Sequence, residues 1–197
     1  MTNLHFVLLL CAAYLVGAIP TGVVLTRLIG ADDVRKSGSG NIGATNVYRV
    51  AGRAVGVATL LCDILKGVLP VIVATKLNGS PTQIASIAII AFLGHCYPVY
   101  LGFRGGKGVA TALGIFMVLS PQGVVLAAAL FVLLVWKFRY ISFGSVSAAA
   151  SIPFLVYAFE RQLPLTLASL LIAGMVIWRH RSNIQRLING TENRFKL

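Results

Sequence analysis

The chain has 197 residues, 57% of them hydrophobic and only 11% charged, where soluble domains carry about 25% charge. Its net charge of +12 comes from 17 Lys and Arg against 5 Asp and Glu. The basic residues sit in short segments between apolar runs. That pattern argues against a nucleic-acid-binding domain and assigns the charge to topology, lipid headgroups and anionic substrates.

Apolar runs of about 20 residues recur along the whole length, and none shows the alternation that a membrane barrel needs. The expectation is an all-α integral membrane protein, a single polytopic domain over residues 1–197. Cys11, Cys62 and Cys96 lie in or beside apolar runs and read as packing residues. The first run lacks a basic leader and is too long for a signal peptide, so it reads as a retained span.

In chain order, the first span covers about 4–26. A polar segment, 27–53, follows, with Arg27, Asp32, Asp33, Arg35, Lys36, Arg49 and Arg53 around Ser37-Gly38-Ser39-Gly40-Asn41-Ile42-Gly43-Ala44-Thr45-Asn46. The second span, about 54–75, carries Asp63 and Lys66 within it. Asn78-Gly79-Ser80-Pro81 marks a turn, and the third span, about 83–103, delivers His95 near its end.

Residues 109–136 as one helix would be about 42 Å long, against a hydrocarbon core of about 30 Å. Ser120-Pro121-Gln122-Gly123 interrupts the run with a helix breaker and a turn glycine. Charge also favours two short helices, 109–119 and 124–136. The segments with Arg27–Arg53, Arg104–Lys107, Lys137 and Arg139 then share one side with the tail residues Arg179, Arg181, Arg186, Arg194 and Lys196. By the positive-inside rule that side is the cytoplasm. Only Lys76 and Arg161 remain outside. Spans at about 141–159 and 165–178 complete seven transmembrane helices, including the short helical hairpin around Pro121, with the N-terminus outside and the C-terminus cytoplasmic.

Three polar clusters, with Ser142 and Ser145, are thus expected on one membrane face. The first offers Ser37, Ser39, Asn41, Thr45 and Asn46 among glycines. Its Gly38–Gly43 stretch matches GxGxxG, but a membrane span precedes it where a dinucleotide site needs a strand. Anion binding or a solvated loop remain. The second cluster is Gly94-His95-Cys96-Tyr97-Pro98 through Arg104-Gly105-Gly106-Lys107-Gly108-Val109-Ala110-Thr111. Glycines let backbone N–H groups approach an anion, and Arg104 and Lys107 supply charge. It is not a Walker A loop, since Leu101 and Gly108 occupy two of that motif's defining positions. His95 reads either as part of this cradle or as a capped interfacial histidine. Asp63 and Lys66, at i and i+3, read as a buried ion pair or as support for the first loop.

The tail joins His180, Asn183, Arg186 and Glu192. His180 and Asn183 share a helical face, and His180 suits a general base or a phosphate donor; a basic helix lying on anionic lipid is the alternative. No nucleophilic triad stands out, and no ligand set for a metal. Sites in transporters lie near the midplane within repeats. Here the polar residues gather at one face without a repeat, which favours an interfacial enzyme over an organic-phosphate transporter.

Ser39-Gly40-Asn41-Ile42-Gly43-Ala44-Thr45-Asn46, the Gly94-His95 to Gly108-Val109-Ala110-Thr111 block, and Arg179-His180, Asn183-Ile184, Arg186-Leu187, Gly190 and Glu192 resemble the three cytoplasmic motifs of the bacterial PlsY family. These are the acyl-phosphate:glycerol-3-phosphate acyltransferases. Asp63–Gly67 and Ser142–Ser145 look like further family features, and Arg104 stands where members often carry lysine.

The resemblance implies a multi-pass enzyme of the bacterial inner membrane, with its active site facing the cytoplasm. It would transfer a fatty acyl group from acyl phosphate to the 1-hydroxyl of sn-glycerol 3-phosphate, giving lysophosphatidic acid and phosphate in phospholipid synthesis. It implies no cofactor or metal, no obligate protein partner and no nucleic acid; the partners are the two substrates and membrane lipid. Ser39, Lys107, His180 and Asn183 would be catalytic. Arg49 would join them on glycerol phosphate. Asn41, Thr45, Gly105, Gly106, Gly108, Ser142 and Ser145 would cradle acyl phosphate, with Asn46, His95, Arg104 and Glu192 also at the substrate site. His180 and a substrate phosphate oxygen are alternative bases.

Overall fold

The computed structural model describes residues 1–195; Lys196, counted above among the tail charges, lies outside the described residues. The described residues form α-helices and one 3-10 turn. Four helical segments are long and apolar enough to cross a membrane, or up to 6 if each of two bent pairs is one span. The chain packs as two compact units, Met1–Val118 and a second beginning at Leu119.

Unit 1 begins with α1 (Asn3–Ala18) and α2 (Thr21–Leu28). The single first span expected from hydropathy is thus broken, by a 47° bend. Pro20 lies in the link, where it supplies no N–H for a continuous helix. The polar loop that follows is shorter than expected, because α3 (Ala44–Lys76) already includes Thr45, Asn46 and Arg49. Gly52, at φ 85, kinks α3 where the loop was expected to end. α4 (Pro81–Cys96) starts with a capping box between Ser80 and Gln83. It ends at Cys96 rather than near 103, and the 3-10 turn Val99–Leu101 follows.

Small residues let these helices approach closely. A Cβ on Gly17 of α1 would collide with the Ala91 carbonyl of α4, and one on Gly94 with the Tyr14 carbonyl. The short α5 (Val109–Leu119) lies on α3 by the same device: Gly67 meets the Thr111 carbonyl and Gly114 the Ile64 carbonyl. Thr111 Oγ1 also donates to the Asp63 carbonyl at 3.0 Å.

Unit 2 contains α6 (Pro121–Phe138), α7 (Ile141–Glu160), α8 (Leu163–Arg179) and α9 (Arg181–Ile188). α7 packs against α6 and α8, and Ile152, Val156, Ala168, Ile172 and Val176 are buried. Pro121 opens α6 instead of sitting inside a loop, so α6 is 18 residues long, longer than expected. That position suits proline, whose missing N–H would have no helical partner there. α8 and α9 meet at a 56° bend, and the tail returns to donate the Phe195 N–H to the Arg139 carbonyl at 2.7 Å.

Candidate active site

In unit 1 the loop before α3 is built around Asn46, which is 2% exposed. Its Nδ2 donates to the carbonyls of Val34 (2.8 Å), Ser37 (3.1 Å) and Asn41 (2.9 Å). Its Oδ1 accepts the Ser39 N–H at 2.8 Å. The two Nδ2 hydrogens are shared among the three carbonyls, so one amide ties down four backbone groups that no helix or sheet would pair. Asn46 was expected to touch substrate; its side chain instead holds the loop. Asn41 Oδ1 accepts the Gly43 N–H at 2.8 Å and shapes the turn into α3. Ser39 and Arg49 are exposed and Thr45 is half-buried. Arg35 pairs with Asp33 at 2.6 Å, and hydrogen bonds from Arg35 hold the Asp33 carboxyl far below the usual carboxylate range.

The glycine-rich segment turns back on the end of α4. Gly102 (φ 57) and Phe103 (φ 63) are both left-handed, and this reverses the chain. The Gly105 N–H then donates to the Cys96 carbonyl at 3.1 Å, and the Gly106 N–H to the His95 carbonyl at 3.2 Å. These two N–H groups were expected to reach a phosphate; the fold commits them to backbone. Gly108 (φ 80) leads into α5 and packs so tightly on the Phe92 ring that a Cβ would collide with it. The amino end of α5 follows, where the first N–H groups of a helix have no helical acceptor and the dipole favours negative charge. Arg104 is exposed and Lys107 half-buried beside it.

Behind this turn lies a buried charged cluster. Asp63 and Lys66 form an ion pair at 2.6 Å, with side chains 3% and 5% exposed. Thr21 Oγ1 donates to Asp63 Oδ1. Lys66 Nζ also donates to the Ile19 carbonyl at 2.7 Å and lies 3.5 Å from His95 Nδ1. Thr21 and the Ile19 carbonyl did not stand out in the sequence; Pro20 between them was the available signal, since a proline breaks the helix where it falls within a span.

In unit 2 the organiser is Glu192, the side chain of which is 7% exposed. Its Oε1 accepts from Ser142 Oγ at 2.8 Å and from Asn183 Nδ2 at 2.6 Å. Its Oε2 accepts from Arg186 Nε at 2.7 Å. Burial pushes the carboxyl pKa up, but the hydrogen bonds from Asn183, Ser142 and Arg186 outweigh it, and the group sits below its ordinary value. Ser145 Oγ donates to the Ile141 carbonyl at 2.9 Å, one turn back in α7; its hydroxyl hydrogen, expected at acyl phosphate, is spent on the helix.

His180 is 3% exposed and sits at the bend between α8 and α9. Its Nδ1 lies 2.8 Å from the Val176 carbonyl. A carbonyl only accepts, so Nδ1 carries the hydrogen. Asn183 follows on α9, three residues after His180, and is likewise buried.

The family of glycerol-3-phosphate acyltransferases matches residues 7–190. The chain is 63% identical to a glycerol-3-phosphate acyltransferase of Syntrophotalea carbinolica, covering 97% of this chain and 98% of that one. It is 55% identical to the protein of the same name from Geobacter sulfurreducens, over 98% and 99% of the two chains. A crystal structure of PlsY, an integral membrane glycerol 3-phosphate acyltransferase in its glycerol 3-phosphate form, superposes with a TM-score of 0.94 at 38% identity, covering 98% and 96%. The lysophosphatidic acid form gives 0.91 at 37% identity, with the same coverage. An all-helical, multi-pass membrane chain that matches these enzymes over nearly its whole length belongs to the glycerol-3-phosphate acyltransferase family, of the PlsY type.

Proposed function

We propose that the chain, acting as one polytopic domain over residues 1–197, transfers a fatty acyl group from acyl phosphate to the 1-hydroxyl of sn-glycerol 3-phosphate. The products are lysophosphatidic acid and phosphate. The related crystal structures in glycerol 3-phosphate and lysophosphatidic acid forms support the acceptor and the product. The donor is the one the family resemblance implies, and its chemistry suits the site: acyl phosphate is a mixed anhydride with a good leaving group. The protein then has only to orient the alcohol and stabilise developing charge.

The single observation that carries the mechanism is the His180 hydrogen bond to the Val176 carbonyl. In the neutral ring it makes Nε2 the nitrogen that accepts a proton. The glycerol hydroxyl gives its proton to Nε2, or alternatively to a substrate phosphate oxygen. The alkoxide oxygen bonds to the acyl carbon, and the bond from that carbon to the phosphate oxygen then breaks. Ser39, Arg49, Lys107 and Asn183 hold glycerol phosphate; Asn41, Thr45, Arg104, Gly108 and the amino end of α5 receive acyl phosphate. Ser142 and Glu192 act by fixing Asn183, and Asn46 by shaping the first loop.

The topology belongs to the same proposal: seven spans, with the N-terminus outside and the C-terminus and the site on the cytoplasmic side of a bacterial inner membrane. The helix break at Ser120 and the distribution of Lys and Arg support it. The 11-residue α5 would be about 16 Å long, a half-length leg of the hairpin.

The test supplies purified protein in detergent with labelled glycerol 3-phosphate and either palmitoyl phosphate or palmitoyl-CoA. Labelled lysophosphatidic acid from the phosphate alone is expected. Product from CoA alone would refute the donor, and product from neither would refute the reaction.

A further inference from the structure

We propose that Lys66 sets the tautomer of His95, so that His95 turns an Nε2–H toward the Gly105–Gly108 turn as a hydrogen-bond donor for a substrate phosphate. This rests on reading that turn as part of the substrate site. Lys66 is then a positioning residue, acting on the anion through the histidine.

The Lys66 ammonium has three N–H groups and no lone pair. It faces three acceptors: Asp63 Oδ1 at 2.6 Å, the Ile19 carbonyl at 2.7 Å and His95 Nδ1 at 3.5 Å. The first two can only accept. The third fits the same role when Nδ1 keeps its lone pair, and a neutral imidazole then carries its hydrogen on Nε2. The competing arrangement has His95 donating from Nδ1 to Asp63 Oδ1, but those atoms are 3.8 Å apart, beyond hydrogen-bond range. That oxygen already accepts from Thr21 and Lys66. An imidazolium would set a second cation against Lys66 beside the Asp63 carboxylate that already pairs with that lysine, and a buried unpaired charge is costly. Among the polar groups around the ring are Asp63 and Lys66 from α3, the Ile19 carbonyl before α2 and the Gly106 backbone.

The other edge of the ring meets the turn. A Cβ on Gly106 would collide with His95 Nε2, so glycine alone lets the ring lie against that backbone. The Gly106 N–H donates to the carbonyl of His95 itself, so ring and turn are fastened to the same residue. The two buried histidines are therefore held in opposite tautomers: His180 with hydrogen on Nδ1, through the Val176 carbonyl, and His95 with hydrogen on Nε2. One is prepared to accept a proton and the other to donate a hydrogen bond to an anion.

The experiment uses intact protein in detergent, labelled with 15N-histidine, with His5, His95 and His180 signals assigned by single substitutions. His95 is expected to show a pyrrole-type Nε2 and a pyridine-type Nδ1, the reverse of His180. A protonated Nδ1 on His95 in the unmodified protein would overturn the proposal, whether or not any variant folds. In Lys66→Met, His95 is expected to gain hydrogen at Nδ1 as Asp63 becomes its partner; an unchanged tautomer there would also overturn it. For the donor role, His95→Gln keeps an amide N–H near the Nε2 position and His95→Asn only near Nδ1. Kcat/KM should be about tenfold higher in the Gln variant, and equal losses would defeat the role. A KM rise confined to palmitoyl phosphate or to glycerol 3-phosphate identifies whose phosphate is held. Failure of the unmodified protein to use palmitoyl phosphate would refute the proposed donor while leaving the tautomer result standing.

Discussion

Asn183 donates its side-chain amide to Glu192 at 2.6 Å. The carboxylate thereby orients a residue proposed to hold substrate, while its other contacts, Ser142 and Arg186, tie α7 and α9 to the tail. Glu192→Ala is expected to lose activity with the fold weakened, leaving Ser142 and Asn183 without their acceptor, a cost of about 1–3 kcal/mol. Glu192→Gln should fall between the two. Thermal inactivation in detergent, followed by residual turnover, checks the order.

The same carboxylate predicts an acid limb. Its pKa in the folded protein lies below its ordinary value. Its stabilisation is therefore complete above the ordinary carboxylate range and fades as pH falls through the folded pKa. The inactivation temperature should drop below about pH 4, and the Glu192→Gln variant should show a smaller drop. An identical acid profile in both proteins would remove Glu192 as the source.

Asn46 organises the first loop through one amide with four backbone partners. Asn46→Ala should cost about 3 kcal/mol by orphaning buried groups. Asn46→Asp should be worse, because a carboxylate would face three carbonyl oxygens in a buried space. Thermal inactivation and trypsin cleavage after Arg35 or Lys36 would report the loop opening.

Gly108 combines a left-handed backbone with contact on Phe92. Gly108→Ala should therefore displace the entry to α5 and lower kcat/KM by about tenfold or more. The double variant Gly108→Ala with Phe92→Ala should recover only part of the loss, since the backbone strain persists. Full recovery would mean that side-chain crowding alone is responsible.

Lys107→Ala should lower turnover by about a hundredfold or more, as expected for removing a charge that stabilises a developing phosphate anion. His180→Ala separates two roles. A fall in kcat marks the base, whereas a rise in KM for glycerol 3-phosphate with kcat kept marks binding alone.

For topology, Gln122→Cys in a background lacking Cys11, Cys62 and Cys96 should react with an impermeant thiol reagent from outside the cell. Reaction from the cytoplasmic side would overturn the hairpin.

Hydropathy located the apolar runs, and the three polar clusters identified the family, because both signals are written in consecutive residues. The break at Ser120 was legible for the same reason: proline and glycine act on their own backbone. The bend at Pro20, the early start of α3 at Ala44 and the length of α6 were not read correctly. There a proline sat inside an apolar run, polar side chains lay on a helix, or a proline opened a helix rather than ended one. Partnerships between distant residues belong to the tertiary structure alone. Lys66 meets His95 across 29 positions, and Ser142 meets Glu192 across 50. Sequence shows that an amide, an ammonium or a carboxylate is present; its role depends on which acceptors and donors the folded backbone brings within 3 Å or so. That is why Asn46, Gly105 and Gly106, all attractive ligands for phosphate in the sequence, are engaged in holding the backbone in the structure.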